Sequence, residues 1–448
     1  MMICPERRRK GRTISLAAIT GCLALAGVIA LAVTLDWASA FGDLAFGPER
    51  RIGQADRNPS SPFLRIAPNG RLYAAWTESD PNAPSAPKVT ADPSHKKHWM
   101  ITFDMRVVLL ASSADGGVVW TAPRRVNSAT EAVQGEENEP RIAFTPDGKA
   151  FVVWSVPSEK GDKSRANVRF AMEEGRGGFT PSRTLNEIKD TARFPILERS
   201  PDNTFLTAWI DRRVDSPASR AVYMSRIGPN GQEVSPSYKV AEDICDCCRL
   251  ELAFTDKGRT VFLVNRQVTA EQIRNHVLRK STDGGVTFGA PVTISDDGWQ
   301  TVCPHSGPAM ALDHRGYIHV TWFTMGRSLA EAGVYYSVSR DGGRSFAPRR
   351  LVHANTAPEI LHTRLAVGSD GTVHLAWDNL DGAGKAQVFV RSMAPDGTTF
   401  SPIQQISRAR ENARRPVLAL SDRELHVAWT ESEGETSWVV MRTAPLKK

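Results

Sequence analysis

The sequence predicts an all-β repeat protein of 448 residues, and three observations support this prediction. A short phrase with Asp and Gly at its centre occurs three times. A strand pattern that ends in Trp occurs six times. Apolar runs are short, and the chain contains 34 Gly and 28 Pro. This composition is typical of many strands joined by turns rather than of long helices.

The three clear copies of the phrase begin at Ser113, Ser281 and Ser339. They read Ser-Ala-Asp-Gly-Gly-Val-Val-Trp, Ser-Thr-Asp-Gly-Gly-Val-Thr-Phe and Ser-Arg-Asp-Gly-Gly-Arg-Ser-Phe. Weaker copies lie near Gly175 and Gly231 and around 396–400. The turn positions then follow one another at steps of 53 to 59 residues. This spacing is the period expected for the four-stranded blades of a β-propeller.

The phrase Ser-x-Asp-x-Gly-x-(Thr/Ser)-(Trp/Phe) resembles the Asp-box, or BNR repeat, of bacterial sialidase-like β-propellers. The resemblance implies that the Asp and the Gly build a tight turn and that the aromatic residue packs beneath it. It covers almost the whole chain after the N-terminal segment, as a fold.

A second repeat gives the blade count. The strand that ends in Trp occurs at Trp76, Trp154, Trp209, Trp322, Trp377 and Trp429, and Val261–Asn265 takes the same place without a Trp. These seven units favour seven blades, with six blades and an accessory segment as the alternative. The last unit lacks one strand, and residues 47–52 resemble the closing strands of other units. We therefore expect this N-terminal segment to complete the last blade and close the ring, which removes open sheet edges.

Residues 1–40 form a separate segment. Five basic residues between Arg7 and Arg12 precede an apolar stretch from Thr13 to Leu35, and Ala38-Ser39-Ala40 follows. This order predicts an export helix, either a cleaved signal peptide or an uncleaved membrane anchor. A lipoprotein site at Cys22 is a further alternative, although the apolar residues that follow it argue against one. Residues 41–448 are then the propeller, with an inserted rim loop at about 80–100.

Composition limits the classes of partner. Residues 1–40 contain five basic and two acidic side chains, so +4 of the formal net charge of +7 remains in the rest of the chain. The basic residues are scattered, which is not the pattern of a nucleic-acid-binding protein. The sequence thus predicts a monomer of the cell envelope, periplasmic or extracytoplasmic, that is secreted or attached to the membrane through its N-terminal segment.

Arginines recur where the inner strands of the predicted blades begin. Arg141 and Arg364 each lie seven residues before the Gly of the following turn, and other arginines lie near the equivalent point. Guanidinium groups that converge there would hold a carboxylate by paired hydrogen bonds. Sialidases use an arginine cluster in this way. The alternative is that these arginines pair with nearby acids of the protein. The predicted ligand-binding residues are Arg65, Arg141, Arg249, Arg364 and Arg415; Arg193 lies near the same point.

Catalytic residues are less well defined. The sialidase resemblance implies a Tyr nucleophile late in the chain, with Glu and Asp partners, but no Tyr follows Tyr336. Two acidic clusters, 136–139 and 296–297, could supply a general acid/base. We take Glu137 and Asp297 as its candidates. The other reading of these clusters is a solvated loop or a set of partners for the arginines.

Four cysteines and one histidine fall in two segments that precede the fourth and fifth units. Neighbouring blades would bring these segments together. The envelope location permits disulfides, with the pairs Cys245–Cys248 and Cys247–Cys303 least strained. Alternatively, Cys245, Cys247, Cys248, Cys303 and His305 form a metal or redox site, because thiolates with an imidazole suit copper or zinc. No other cofactor is indicated.

The predicted function is the binding of an anionic small molecule or glycan, or of an envelope protein, at the central funnel of the ring. Classical sialidase catalysis is not expected without the late Tyr. The alternatives are an exo-acting glycoside hydrolase of the exo-α-sialidase type, and an envelope metal or redox protein that uses the Cys/His cluster.

Overall fold

The computed structural model describes residues 43–80, 106–135, 138–158, 165–213, 220–246, 248–255, 257–300, 306–355, 361–395 and 397–446. Regular structure in these ranges is β-strand apart from three short 3-10 helices, Ala55–Arg57, Gly175–Gly177 and Leu329–Glu331. The all-β prediction is confirmed. No helix among the described residues is long and apolar enough to cross a bilayer. The predicted export helix within residues 1–40 and most of the rim loop at 80–100 lie outside the described residues.

The first half of the chain supplies strands in antiparallel order. They are β1 (Arg50–Ile52), β2 (Ser60–Ile66), β3 (Leu72–Ser79), β4 (Arg106–Ser113), β5 (Arg124–Arg125), β6 (Arg141–Phe144), β7 (Ala150–Pro157), β8 (Ala166–Met172), β9 (Arg183–Thr184), β10 (Ala192–Arg199), β11 (Phe205–Asp211), β12 (Ala221–Ile227) and β13 (Tyr238–Ala241).

The second half continues the same pattern. Its strands are β14 (Glu251–Phe254), β15 (Val261–Val268), β16 (Arg274–Ser281), β17 (Val292–Ser295), β18 (Ala309–Leu312), β19 (Ile318–Thr324), β20 (Gly333–Ser339), β21 (Arg350–Ala354), β22 (Thr363–Val367), β23 (Val373–Leu380), β24 (Ala386–Met393), β25 (Gln404–Gln405), β26 (Asn412–Leu420), β27 (Glu424–Glu433) and β28 (Thr436–Pro445).

Consecutive strands pair to form small antiparallel sheets. Strands β2–β5, β14–β17 and β18–β21 form separate four-stranded sheets. Strands β6–β9 and β10–β13 follow the same order and are joined by one bridge, Ala192 to Ala166. Strands β22–β25 meet β26–β28 through one bridge, Ala386 to Asn412. The predicted unit of four successive strands is therefore present along the chain.

The N-terminal strand joins the C-terminal sheet, as the sequence predicts. β1 pairs antiparallel with β28, with Arg50 opposite Met441 and Ile52 opposite Val439. The backbone N–H of Ser61, at the start of β2, donates to Oγ1 of Thr430 in β27 at 3.1 Å. A shared apolar cluster also contains residues of β2, β3, β27 and β28. The two ends of the chain are therefore held in contact.

The tryptophans of the repeat form the core between sheets. Trp76, Trp154, Trp209, Trp322, Trp377 and Trp429 all lie in second strands, and each is at most 1% exposed. In β15 the equivalent place is taken by Asn265. Nearly every side chain of these second strands is buried, on both faces of the sheet. Each sheet is therefore covered on both sides.

The Asp-box turns have the predicted structure. Oγ of Ser281 donates to Asp283 Oδ1 at 2.6 Å and accepts from the backbone N–H of Gly285 at 2.8 Å. Asp283 Oδ1 also accepts from the N–H groups of Val286 and Thr287. The turns at Ser113 and Ser339 make the same set of bonds. Phe288 and Phe346 pack against buried clusters next to their turns. The turns join third to fourth strands, away from the central cavity described below.

Candidate functional site at the centre of the ring

The inner strands β2, β6, β10, β14, β18, β22 and β26 line one central cavity of about 350 Å³. Most of the lining is small or aliphatic, such as Ala311, Ala366 and Ala419, and the charged lining residues are Arg65, Arg141, Arg364, Glu198 and Glu251. A cavity of a few hundred Å³ with apolar walls and a few converging charges is typical of a small-ligand site. The charged residues are brought together from strands far apart in the chain.

Three of the predicted arginines converge on one carboxylate, that of Glu139. Arg364 Nη2 lies 2.6 Å from Oε1, Arg141 Nη2 lies 3.0 Å from Oε1, and Arg249 Nη2 lies 3.1 Å from Oε2. All four side chains are nearly buried. Burial raises the pKa of Glu139, but the charges of Arg249, Arg364 and Arg141 outweigh this effect and bring its pKa to about 2. The arginines therefore form a carboxylate clamp, and the protein's own glutamate fills it.

A second ion pair lies beside this clamp. Arg65 holds Glu198 with both Nη atoms, at 2.9 and 2.6 Å, and also donates to the carbonyl oxygen of Ile142 at 3.0 Å. Arg141 reaches a second acid, Glu251, at 3.5 Å. Burial raises the pKa of Glu251 despite the opposing charge of Arg141. We call Arg65, Arg141, Arg249, Arg364, Glu139, Glu198 and Glu251 the central cluster.

Several arginines lie close together around Arg249. Burial lowers the pKa of Arg249, Glu139 raises it, and repulsion from Arg364, Arg415 and Arg141 lowers it, with a result of about 10. An anion bound near these arginines would reduce their mutual repulsion.

A histidine and an aspartate lie next to this positive region, and the sequence interpretation did not single out either of them. His362 Nδ1 lies 2.8 Å from Asp378 Oδ2, and the backbone N–H of His362 donates to Oδ1 at 2.6 Å. Asp378 Oδ2 also accepts from the backbone N–H of Arg415 at 2.8 Å. Burial lowers the pKa of His362 below its ordinary value; Asp378 opposes this effect, and Arg415 and Arg249 add to it.

Backbone strain marks the same end of the inner strands. Ser61, Phe194 and Arg415 have φ values of +54°, +52° and +57°, and each precedes a proline. The strand register shifts at each of these positions. A bulge of this kind redirects side chains, and left-handed non-glycine residues are concentrated at functional sites. A proline two to four residues after the start of an inner strand was the sequence signal for these bulges.

The predicted arginines are thus brought together, but with a correction to their role. Arg141, Arg249 and Arg364 surround Glu139, Arg65 holds Glu198, and Arg415 lies near Arg249 and His362. The alternative that they pair with acids of the protein is confirmed for the first four. The acidic segment 136–139 supplies this partner, while Glu137 itself lies outside the described residues.

Asp297 is not brought to the central cavity. Its side chain is fully buried; it accepts from Ser295 Oγ at 2.6 Å and from Trp322 Nε1 at 2.8 Å, and it pairs with Arg349. Its partners belong to β17, β19 and the segment before β21, which lie away from the inner strands. A carboxylate fully committed to such partners lacks a proton-transfer route to a ligand, so we do not retain it as an acid/base candidate.

The cysteine prediction falls partly on residues that are not described: Cys247, Cys303 and His305. The Sγ atoms of Cys245 and Cys248 are buried and lie 3.4 Å apart, and Arg266 Nη1 lies 3.9 Å from Cys248 Sγ. Within the described part of the chain, no group of three His, Cys, Asp or Glu residues is arranged to hold a metal ion. Both disulfides and the metal site remain predictions.

The chain was compared with protein-family models, curated proteins and solved structures, and only the solved structures gave matches. No protein-family model matches the chain. No curated protein matches it either. An ulvan lyase bound to -[GlcA(1-4)Rha3S]-, described as a new polysaccharide lyase family, has a TM-score of 0.55 at 11% identity over 87% of this chain and 95% of its own.

Two further solved structures have the same fold. A protein of unknown function from Dyadobacter fermentans has a TM-score of 0.51 at 13% identity, over 89% of this chain and 99% of its own. The endosialidase of phage phi92 also has a TM-score of 0.51, at 11% identity over 90% of this chain and 70% of its own. These likenesses concern the fold alone. The chain therefore has the sialidase-like β-propeller fold that its Asp-box repeats predict.

Proposed function

We propose that this protein binds an anionic glycan at the centre of its propeller. The observation that carries the proposal is the central cavity, where arginines from different inner strands meet: Arg65, Arg141 and Arg364 line it, and Arg249 and Arg415 lie close to them. Guanidinium groups in this arrangement select planar carboxylates or sulfates by paired hydrogen bonds. The ligand's anionic group would bind at Arg249 and Arg415, next to the filled clamp.

The similar structures support a sugar as the ligand. One is bound to a polymer unit that contains glucuronate and a sulfated rhamnose, and another is an endosialidase. Both concern acidic carbohydrates. Because the identity is low, the arginines of this chain remain the main support for an anionic ligand.

A hydrolase of the exo-α-sialidase type is less well supported by the central cluster. Glu139, Glu198 and Glu251 each hold at least one arginine. An acid catalyst requires a carboxyl group that is protonated at working pH. The arginines hold the pKa of Glu139 far below that range, and only Glu251, whose pKa burial raises, has a shift in the direction that an acid requires. The clamp that would receive a sialic acid carboxylate is filled.

A metal or redox role is a second candidate function, and one observation favours it. His276 is fully buried in β16, and neither ring nitrogen has a hydrogen-bond partner, although Nδ1 lies 3.9 Å from Asp297 Oδ2. The charge of Cys245 raises its pKa, against the larger effect of burial. Buried polar atoms without partners are rare and require an explanation. Elemental analysis of the purified protein tests this role: copper or zinc that is lost in His276→Leu would support it, and metal-free wild-type protein would exclude it.

The remaining predictions about architecture and location belong to the same proposal. We propose seven blades, with β26–β28 completed by β1, because the successive strand groups and their inner strands around the cavity support this count. Residues 1–40 would export the propeller and attach it to the membrane or be cleaved. A glycan-binding propeller in the envelope would meet its ligand outside the cytoplasm.

Calorimetric titration of the full chain with glucuronate-containing oligosaccharides tests the proposed function. Arg415→Ala should weaken binding about tenfold or more, as expected for one lost charge-assisted contact. The backbone N–H of residue 415 still reaches Asp378 in this variant. Arg410→Ala is the matched control, because its side chain is 81% exposed. Equal affinities for wild type and Arg415→Ala, or no binding by wild type, would contradict the proposal.

A further inference from the structure

His362 and Asp378 form a dyad that the binding function does not require. The carboxylate of Asp378 is fully buried, and it accepts from the ring and the backbone of His362 and from the backbone of Arg415. A histidine whose Nδ1–H donates to a carboxylate presents its basic Nε2 on the opposite side of the ring. The side chain of His362 remains 9% exposed, whereas that of Asp378 is 0% exposed.

The surroundings of the dyad keep the imidazole neutral. Burial lowers the pKa of His362, Asp378 raises it, and Arg415 and Arg249 lower it further. Burial raises the pKa of Asp378, but His362 and Arg414 bring it to about 2, so the aspartate stays ionised. A neutral histidine backed by an ionised aspartate can accept a proton near neutral pH.

The dyad also lies beside the arginines that would bind the anionic group of a ligand. Arg249 and Arg415 both influence His362 electrostatically, and Arg415 shares Asp378 with it. His362 directly precedes inner strand β22, which carries Arg364 of the clamp, and Asp378 lies in the adjacent strand β23. A base and candidate carboxylate-binding arginines are therefore next to each other, beside the central cluster.

We propose that His362 is a general base of the central site and removes the proton from the carbon next to the carboxylate of a bound uronic acid. This inference rests on the proposed function and names its substrate class and its reaction. Arginines bound to the carboxylate of the uronic acid would stabilise the negative charge that develops on it when this C–H bond breaks. The inference is independent of the Tyr and acid pair that glycosidases use.

The chemistry balances without a co-reactant. His362 takes the proton from the carbon next to the carboxylate, and the electron pair of the C–H bond forms a carbon–carbon double bond. The glycosidic oxygen on the neighbouring carbon leaves with the electron pair of its C–O bond. That oxygen receives a proton from the His362 imidazolium or from water. The products are an unsaturated uronate end and a free hydroxyl end.

Two variants separate a base from a structural residue. His362→Gln should lower turnover by about 10²- to 10⁴-fold, the usual contribution of a general base. Its affinity for the oligosaccharide should stay within about threefold of wild type. Asp378 is a positioning residue. Asp378→Asn removes the charge that raises the pKa of His362. In a plot of turnover against pH, the fall of activity on the acidic side should therefore occur at lower pH than in wild type.

The experiment uses the full chain with ulvan and hyaluronan as uronate polymers and dextran as a neutral control. Ultraviolet absorbance reports the new double bond, and NMR after incubation in D₂O reports exchange of the proton next to the carboxylate. Product or exchange with wild type, lost in His362→Gln with binding retained, would support the inference. Uronate binding without product or exchange would overturn it and leave the proposed function intact. Absence of binding would overturn both.

Discussion

Arg364 and Glu139 are separated by 225 residues in the sequence, yet Nη2 of Arg364 lies 2.6 Å from Oε1 of Glu139 in the central cluster. Arg141, at the start of β6, and Arg249, two residues before β14, contact the same carboxylate. This glutamate connects strand groups that are not neighbours in the chain. It therefore contributes to the closure of the ring and to the electrostatics of the candidate site.

Glu139→Gln should strongly destabilise the protein. Removal of one partner from a buried ion-pair group costs about 3–5 kcal/mol, because the remaining charges stay buried without compensation. Chemical denaturation of the full chain measures this change. Glu435→Gln is the control, since this residue lies in the exposed turn between β27 and β28. A free energy of unfolding that is unchanged in Glu139→Gln would contradict the assigned role.

Acid should destabilise the protein through the same group. The pKa of Glu139 in the folded state is about 2, below its ordinary value of 4.5. A depressed carboxyl pKa contributes stability that is present above the unfolded-state pKa and is lost as pH falls toward the folded-state pKa. We expect unfolding free energy to decrease between about pH 5 and pH 2. The decrease should be smaller in Glu139→Gln, and an equal slope would argue against this source.

The second Gly of each Asp-box cannot accept a side chain. Gly285 has φ +95°, and a Cβ there would lie 2.8 Å from Leu206 Cδ2. Gly343 has φ +86°, with a Cβ 2.6 Å from Leu278 Cδ2. Ala at either position should lower stability by more than about 1 kcal/mol, from left-handed strain and from contact with the neighbouring sheet. Thermal denaturation measures this loss. Gly175→Ala, which meets nothing within 4 Å, is the control.

The strand that joins the N-terminus to the last sheet should be important for stability. Ile52 is 3% exposed and packs in the cluster shared by the first and last sheets. Ile52→Ala should cost about 2–5 kcal/mol of unfolding free energy, as for other large-to-small core changes. The neighbouring Arg51 is exposed, so Arg51→Ala should change it by less than about 0.5 kcal/mol. Equal effects of the two variants would contradict closure through β1.

Local features of the fold could be predicted from the sequence because each repeat carries its own signal. The Asp-box at Ser281, the buried Trp322 and the pairing of residues 50–52 with the last sheet all follow from short segments. The arginines of the central cluster were also predicted, since they recur at one position of the repeat. That the cluster 136–139 supplies partners for the arginines was one of two alternatives, and the sequence could not decide between them because Glu139 contacts Arg364 only in the folded chain.

Features that depend on several strand groups were predicted less well. His362 and Asp378 lie on adjacent strands but carry no motif, and their relation to Arg415 depends on a bulge in β26. Asp297 was a candidate because it belongs to the segment that precedes the fifth unit, which we expected to meet a neighbouring segment. Its side chain instead turns between sheets toward Trp322. Sequence position along a unit does not specify which way such a side chain points.

A crystal structure of the protein with a glucuronate-containing oligosaccharide would test the central claim most directly. We expect the sugar in the central site, with its carboxylate within about 3 Å of guanidinium nitrogens of Arg249 or Arg415 and Glu139 still in the clamp. A sugar bound at the Asp-box turns or on an outer strand, with the central site unchanged, would contradict it.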